Sequence, residues 1–185
     1  MGDYATYLVP ERCRIDAPER EELARRMVGW LQEKGWIERE KSDCVLSGDG
    51  NGWRFTPEGA RHMADADHED LVTYGFCVET HEKKGVFTNH EGGLESARCP
   101  VCGAGIVDDF YDLVEAWYMA EDWPPVVCPV CGKASDIRAY QLEPVWGFSQ
   151  IGFGFWNLNE DLTEEFVAEF AAVLGEPVRV VEVAL

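Results

Sequence analysis

The chain has 185 residues, 46% hydrophobic and 28% charged, which is long and apolar enough to bury a core and argues against disorder. Its 16 Lys and Arg stand against 35 Asp and Glu, a net charge of −19. The imbalance is uneven: residues 1–62 hold ten basic and twelve acidic side chains, residues 63–185 six and 23, so the second part repels a phosphate backbone and nucleic-acid binding is disfavoured.

The N-terminal MGDYATYLVPER lacks the basic start and apolar stretch of a secretory signal, and no apolar run approaches the 18 or so residues that span a bilayer. The expectation is a cytoplasmic protein with no membrane partner. A short strand is expected at Tyr4 to Val9, then a helix capped by Asp16 and Glu19, with Leu23, Met27, Trp30 and Leu31 at helical spacing and Gly35 as its stop. Trp36 to Glu38 reads as a returning strand. GDGNG, from Gly48 to Gly52, marks a tight turn, and Lys83 to Gly85 marks another between TYGFCVET and GVFTN, a hairpin pattern. Near the C-terminus an aromatic strand from Gly147 to Trp156 precedes a helix capped by Asp161 and Glu164, with Leu162, Phe166, Phe170 and Leu174 as its apolar stripe. Gly175 stops that helix and VRVVEVAL closes the chain as a strand.

Two strand-helix-strand units thus bracket the middle of the chain. They imply an α+β fold with a mixed or antiparallel sheet and two helices, a ferredoxin-like outline being one realisation, and an insertion between the two units. The expected division is one α+β domain from 1–98 and 133–185, with 99–132 as the insertion.

The pentapeptide CPVCG occurs twice, from Cys99 to Gly103 and from Cys128 to Gly132. Two cysteines separated by two residues turn both sulfurs toward one ion from a single tight turn, and a second such turn completes a tetrahedron. Here 25 residues separate the pairs. The glycine after each second cysteine permits the sharp turn, and Pro100 and Pro129 stiffen its entry. Over these 34 or so residues the chain resembles the zinc-ribbon group, whose knuckles read CPxCG. That resemblance implies one structural Zn²⁺ per chain on Cys99, Cys102, Cys128 and Cys131. Iron in the rubredoxin manner and a redox use of the CxxC pairs are the alternatives. Phe110, Leu113, Val114 and Trp117 fall at helical spacing among carboxylates, so a helix is expected between the knuckles.

Weaker signals remain. HMADADHED gathers His62, Asp65, Asp67, His68, Glu69 and Asp70, readable as a second metal site or as a solvated helix end. Cys77 with His81 is a second candidate pocket, against a reading of Cys13, Cys44 and Cys77 as buried small hydrophobes and of His81 and His90 as surface residues. Gly152 and Gly154 share one strand face, which suggests close approach of a helix. Four thiolates leave no open coordination position, so the reading favoured is a non-enzymatic, zinc-stabilised acidic module that binds a basic protein, as an inhibitor or immunity protein would. The alternative is a metal-dependent enzyme using His62 to Asp70 or Cys77 and His81.

Overall fold

The computed structural model describes residues 2–89 and 91–185, so His90 lies outside the described residues. Its elements in chain order are β1 (Tyr4–Pro10), α1 (Ala17–Glu33), β2 (Trp53–Arg54), α2 (Pro57–Ala64), β3 (Gly75–Thr80), β4 (Val86–Phe87), β5 (Ser96–Arg98) and α3 (Val107–Met119). There follow β6 (Val126–Val127), β7 (Ala134–Ser135), a 3-10 turn at Ile137–Ala139, β8 (Gln141–Glu143), β9 (Gly147–Phe148), β10 (Ile151–Trp156), α4 (Glu164–Leu174) and β11 (Val178–Ala184).

Local chemistry accounts for the helix ends. The Glu19 N–H donates to Asp16 Oδ1 at 3.0 Å, opening α1. At α4 the cap is Thr163, whose Oγ1 accepts from the Phe166 N–H at 3.1 Å, two residues beyond the expected Asp161. Gly175 ends α4 in the left-handed conformation that glycine adopts without a Cβ penalty, as its position predicts.

Five strands form the main sheet in the order β11-β1-β10-β3-β2, and every pairing is antiparallel. β10 and β11 flank β1, and α4 carries the chain across from one to the other. Three two-stranded ribbons, β4-β9, β5-β8 and β6-β7, complete the structure. The expectation of two helices in a ferredoxin-like outline is therefore corrected: the described residues form four α-helices, a five-stranded antiparallel sheet and the small ribbons. The helix absent from the sequence reading outside the insertion is α2, eight residues that Thr56 caps through the Gly59 N–H, with Pro57 at its first position.

Because side chains alternate along a strand, the sheet buries both faces. On one face Leu8, Phe76, Ile151, Phe153 and Phe155 pack with Leu23, Met27 and Leu31 of α1, Met63 of α2, and Phe166 and Phe170 of α4. On the other, Tyr7, Val9, Cys77, Trp156, Val181 and Val183 pack with Cys44, Val45 and Phe87. Two further expectations change. The segment at Trp36 to Glu38 makes only an isolated bridge, Ile37 to Phe55. Residues 75–80 and 86–87 do not pair with each other, because β3 lies between β10 and β2 while β4 pairs with β9. That arrangement also explains the glycines of β10. A Cβ on Gly152 would overlap the Phe87 ring, and one on Gly154 would lie 2.8 Å from Cys77 Sγ and 2.9 Å from the Tyr7 ring. The close approach is by β4 and the neighbouring strands rather than by a helix.

Gly152→Ala is expected to destabilise the protein by about 1–3 kcal/mol, since the ring of Phe87 has no room for the added methyl. Gly29→Ala, in the interior of α1 with nothing within 4 Å of the added Cβ, is expected to stabilise it by about 0.5–1 kcal/mol. Urea denaturation of the two variants beside the parent checks both signs.

Candidate metal centre

Each CPVCG segment folds into the same turn. The Gly103 N–H donates to the Cys99 carbonyl at 3.0 Å, and the Gly132 N–H donates to the Cys128 carbonyl at 2.9 Å. The N–H of Cys99 returns to the Ala104 carbonyl at 3.1 Å and that of Cys128 to the Lys133 carbonyl at 3.0 Å. Gly103 and Gly132 have φ of 71° and 69°, a region that a side chain would strain, so the glycine of the motif is needed for its backbone. The strand β5 delivers the first turn, and the ribbon β6-β7 carries the second.

Together the two turns place the sulfurs of Cys99, Cys102, Cys128 and Cys131 within 4.8 Å of one another. Cys99 to Cys131 and Cys102 to Cys128 are each 3.9 Å. A tetrahedron of thiolates about 2.3 Å from a zinc ion has edges of about 3.8 Å, so the donor set fits such an ion in number, type and spacing. The thiols are free, and 3.9 Å is nearly twice a disulfide bond length. Among the described residues, this is the group of His, Cys, Asp and Glu side chains placed to share an ion.

The electrostatics of the first knuckle point the same way. The Cys99 thiol is lowered to about 7, first by the N–H of Cys102 and then, against some desolvation, by that of Val101, which lies 3.4 Å from the sulfur. Cys102 moves up to about 11: the Ala104 N–H that donates to it is outweighed by desolvation and by the three neighbouring cysteines. One thiolate therefore forms readily and the next is resisted by like charge, a conflict that a divalent cation removes. Tyr140 is pushed up to about 12, first by burial and then by the four cysteines, and its hydroxyl donates to the Val126 carbonyl at 3.2 Å.

The sulfurs rest on an apolar cluster of their own. Cys99 and Cys128 are buried with Ile106, Phe110, Trp117, Ile137, Tyr140 and Trp146. The helix expected between the knuckles is α3, which turns Phe110 and Trp117 into this cluster. Its C-terminal carbonyls are met by a residue the sequence did not single out. Lys84, 4% exposed, donates from Nζ to the Ala120 carbonyl at 2.7 Å and to those of Trp117 and Asp122. It lies 5.0 and 5.5 Å from the ring centroids of Trp117 and Trp123. Desolvation pulls its pKa down, while three carbonyls and two aromatic faces hold the ammonium. In the sequence Lys84 is half of a KKG turn, with no mark of burial.

The weaker candidates fall apart from one another. His62 stacks on Trp36 at 4.0 Å and lies 3.1 Å from Glu169. Asp65 ends α2 with a left-handed φ of 51°, His68 packs edge-on against Tyr74, and Glu69 accepts from Asn159. Cys77 is buried beside Ser47, 2.9 Å from its hydroxyl, and burial pushes its thiol pKa up, which disfavours the nucleophilic thiolate. His81, beyond the end of β3, lies 3.1 Å from Glu79 and edge-on to Phe87. Cys77 borders a cavity of about 680 Å³ between α1 and the 47–51 turn, whereas His81 borders a different one with Lys84, Tyr111 and Trp146.

Acidification should release an ion held by the four sulfurs. The Cys99 thiol is lowered in the fold, so its thiolate is favoured above pH 7 and lost as the pH falls through that value. Competition with a chromophoric chelator is expected to show at least tenfold weaker retention at pH 6 than at pH 8. Cys128→Ser should abolish tight retention at either pH.

Compared with known proteins, the chain matches no family model, no curated protein and no solved structure, so the case for a metal centre stands on these four sulfurs and their surroundings.

Proposed function

We propose that this chain is a non-catalytic binding module in which one zinc ion, held by Cys99, Cys102, Cys128 and Cys131, serves as structural support for a surface that meets a basic protein. The observation that carries the reading is the closed donor set. Four sulfurs within 4.8 Å of one another fill a tetrahedron and leave no position for water or substrate. Zinc is favoured over iron because it suits four thiolates without redox chemistry, and a role that only holds turns together asks for nothing more. The ion supplies cohesion, and the chain's own residues supply the turns and the apolar support.

The charge supplies the other half of the proposal. Residues 63–185, which include both knuckles, carry 23 acidic side chains against six basic ones. Such a field speeds encounter with a cationic partner and repels polyanions, the behaviour of an inhibitor or immunity protein that neutralises a basic target. In the same reading 99–132 is the inserted unit and 1–98 with 133–185 the α+β domain, with α3 and β6 lying between the two cysteine pairs.

Elemental analysis of the purified, dialysed protein is expected to find one zinc per chain, with iron absent. Affinity capture from a cell lysate should then retain a basic protein whose binding weakens steeply between 50 and 300 mM salt. A second, exchangeable metal, or retention of partners that ignores salt, would contradict the proposal.

A further inference from the structure

The outer edge of β11 is open. In its pairing with β1 the bonded positions are the odd ones, since the Leu185 N–H donates to the Asp3 carbonyl at 2.9 Å and the Glu11 N–H to the Pro177 carbonyl at 3.1 Å. The alternation of an antiparallel ladder then turns the N–H and C=O of Val178, Val180 and Glu182 away from the sheet. Among the described residues nothing bonds to those six groups, and the next outward N–H along the strand, that of Ala184, reaches the Asn89 carbonyl at 3.3 Å. Edge strands are commonly blunted by shortness, lysine or proline. At the far side of the sheet β2 is two residues long, whereas β11 runs for seven, with Val178 and Val180 at two of its three free positions.

A cavity of about 480 Å³ lies against this edge, between Val180 and Glu182 on one wall and Glu95, Leu142, Glu143 and Val145 on the other. Val180 is 39% and Val145 45% exposed. The charged residues lining it are three glutamates, and among the described residues none of them is in an ion pair. Arg179, the neighbouring cation of β11, is already engaged by Glu11 at 2.9 Å.

We propose that an extended, basic segment of the partner protein adds to the sheet along β11, its backbone bonding to Val178, Val180 and Glu182 while its Lys or Arg side chains meet Glu95, Glu143 and Glu182. The backbone bonds provide affinity and the acidic wall selects for cations, as in other strand-addition complexes. Apolar side chains at alternate positions of the segment cover Val145 and Val180. This rests on the basic partner proposed above and names the surface that such a partner uses.

The test measures, by fluorescence anisotropy at low ionic strength, binding of a labelled octapeptide of alternating lysine and valine, the same peptide N-methylated at every amide, and octalysine. Saturable binding of the first, at least tenfold weaker for its methylated form and for the Val180→Pro and Glu182→Lys variants, is the expected result. Proline at Val180 removes an N–H that no other group among the described residues uses, and the methylated peptide makes the same test on unaltered protein. Equal affinity for the methylated and unmethylated peptides would overturn docking at the edge and leave a basic partner standing. Failure of both unmethylated lysine peptides to bind would overturn the two together.

Discussion

Four sulfurs drawn to within 4.8 Å of one another, from turns 25 residues apart, are the constraint on which the second half of this molecule depends. Without a cation they oppose one another, because the first thiolate makes the next harder to form. With one, the loop between them is closed and its ends are pinned, which offsets the chain entropy that so short a set of strands cannot. The ribbon β6-β7 and the strands β5 and β8 are each two or three residues long and would not persist alone. Their stability comes from the knuckles at their ends and from the aromatic cluster beneath Cys99 and Cys128.

Buried polar groups help to join this apolar cluster to the sheet, beside the apolar contacts of the β4-β9 ribbon. Lys84 reaches from the turn before β4 to the end of α3. Asn89 accepts from the Trp146 indole N–H at 3.0 Å. Gln150 accepts from the Ile15 N–H and donates to the Glu82 carbonyl, tying together the segments that lead into α1 and β10. Buried polar groups cost heavily when unpaired, so each of these contacts favours one placement of the segments over any neighbouring one. The two turns therefore sit in a defined position relative to the acidic groove beside β11.

Charge and fold play separate parts. The many carboxylates lie mostly at the surface and do not build the core, which is made of phenylalanines, tryptophans and aliphatic side chains on both faces of one sheet. Of the cations, Arg12, Arg138 and Arg179 are spent on internal pairs with Glu19, Glu176, Asp136 and Glu11. The neutralised region lies between the first strand, α1 and the second knuckle, whereas Glu95, Glu143 and Glu182 beside β11 are in no ion pair among the described residues.

What the sequence by itself determined is what short windows encode. The helix from Asp16, with Leu23, Met27 and Leu31 buried, the helix between the knuckles, the C-terminal strand and both cysteine turns follow from spacing, caps and glycines a few residues apart. The α2 helix was within reach, since Thr56 and Pro57 form a start signal, but its eight residues give too little periodicity to stand out. Only the tertiary structure decided that β4 leaves β3 for β9, that Gly152 and Gly154 make room for Phe87, Tyr7 and Cys77, and that Lys84 is buried. It also left the edge of β11 bare. A strand's partner and a side chain's burial depend on residues dozens of positions away, and no local pattern carries the energy of those contacts.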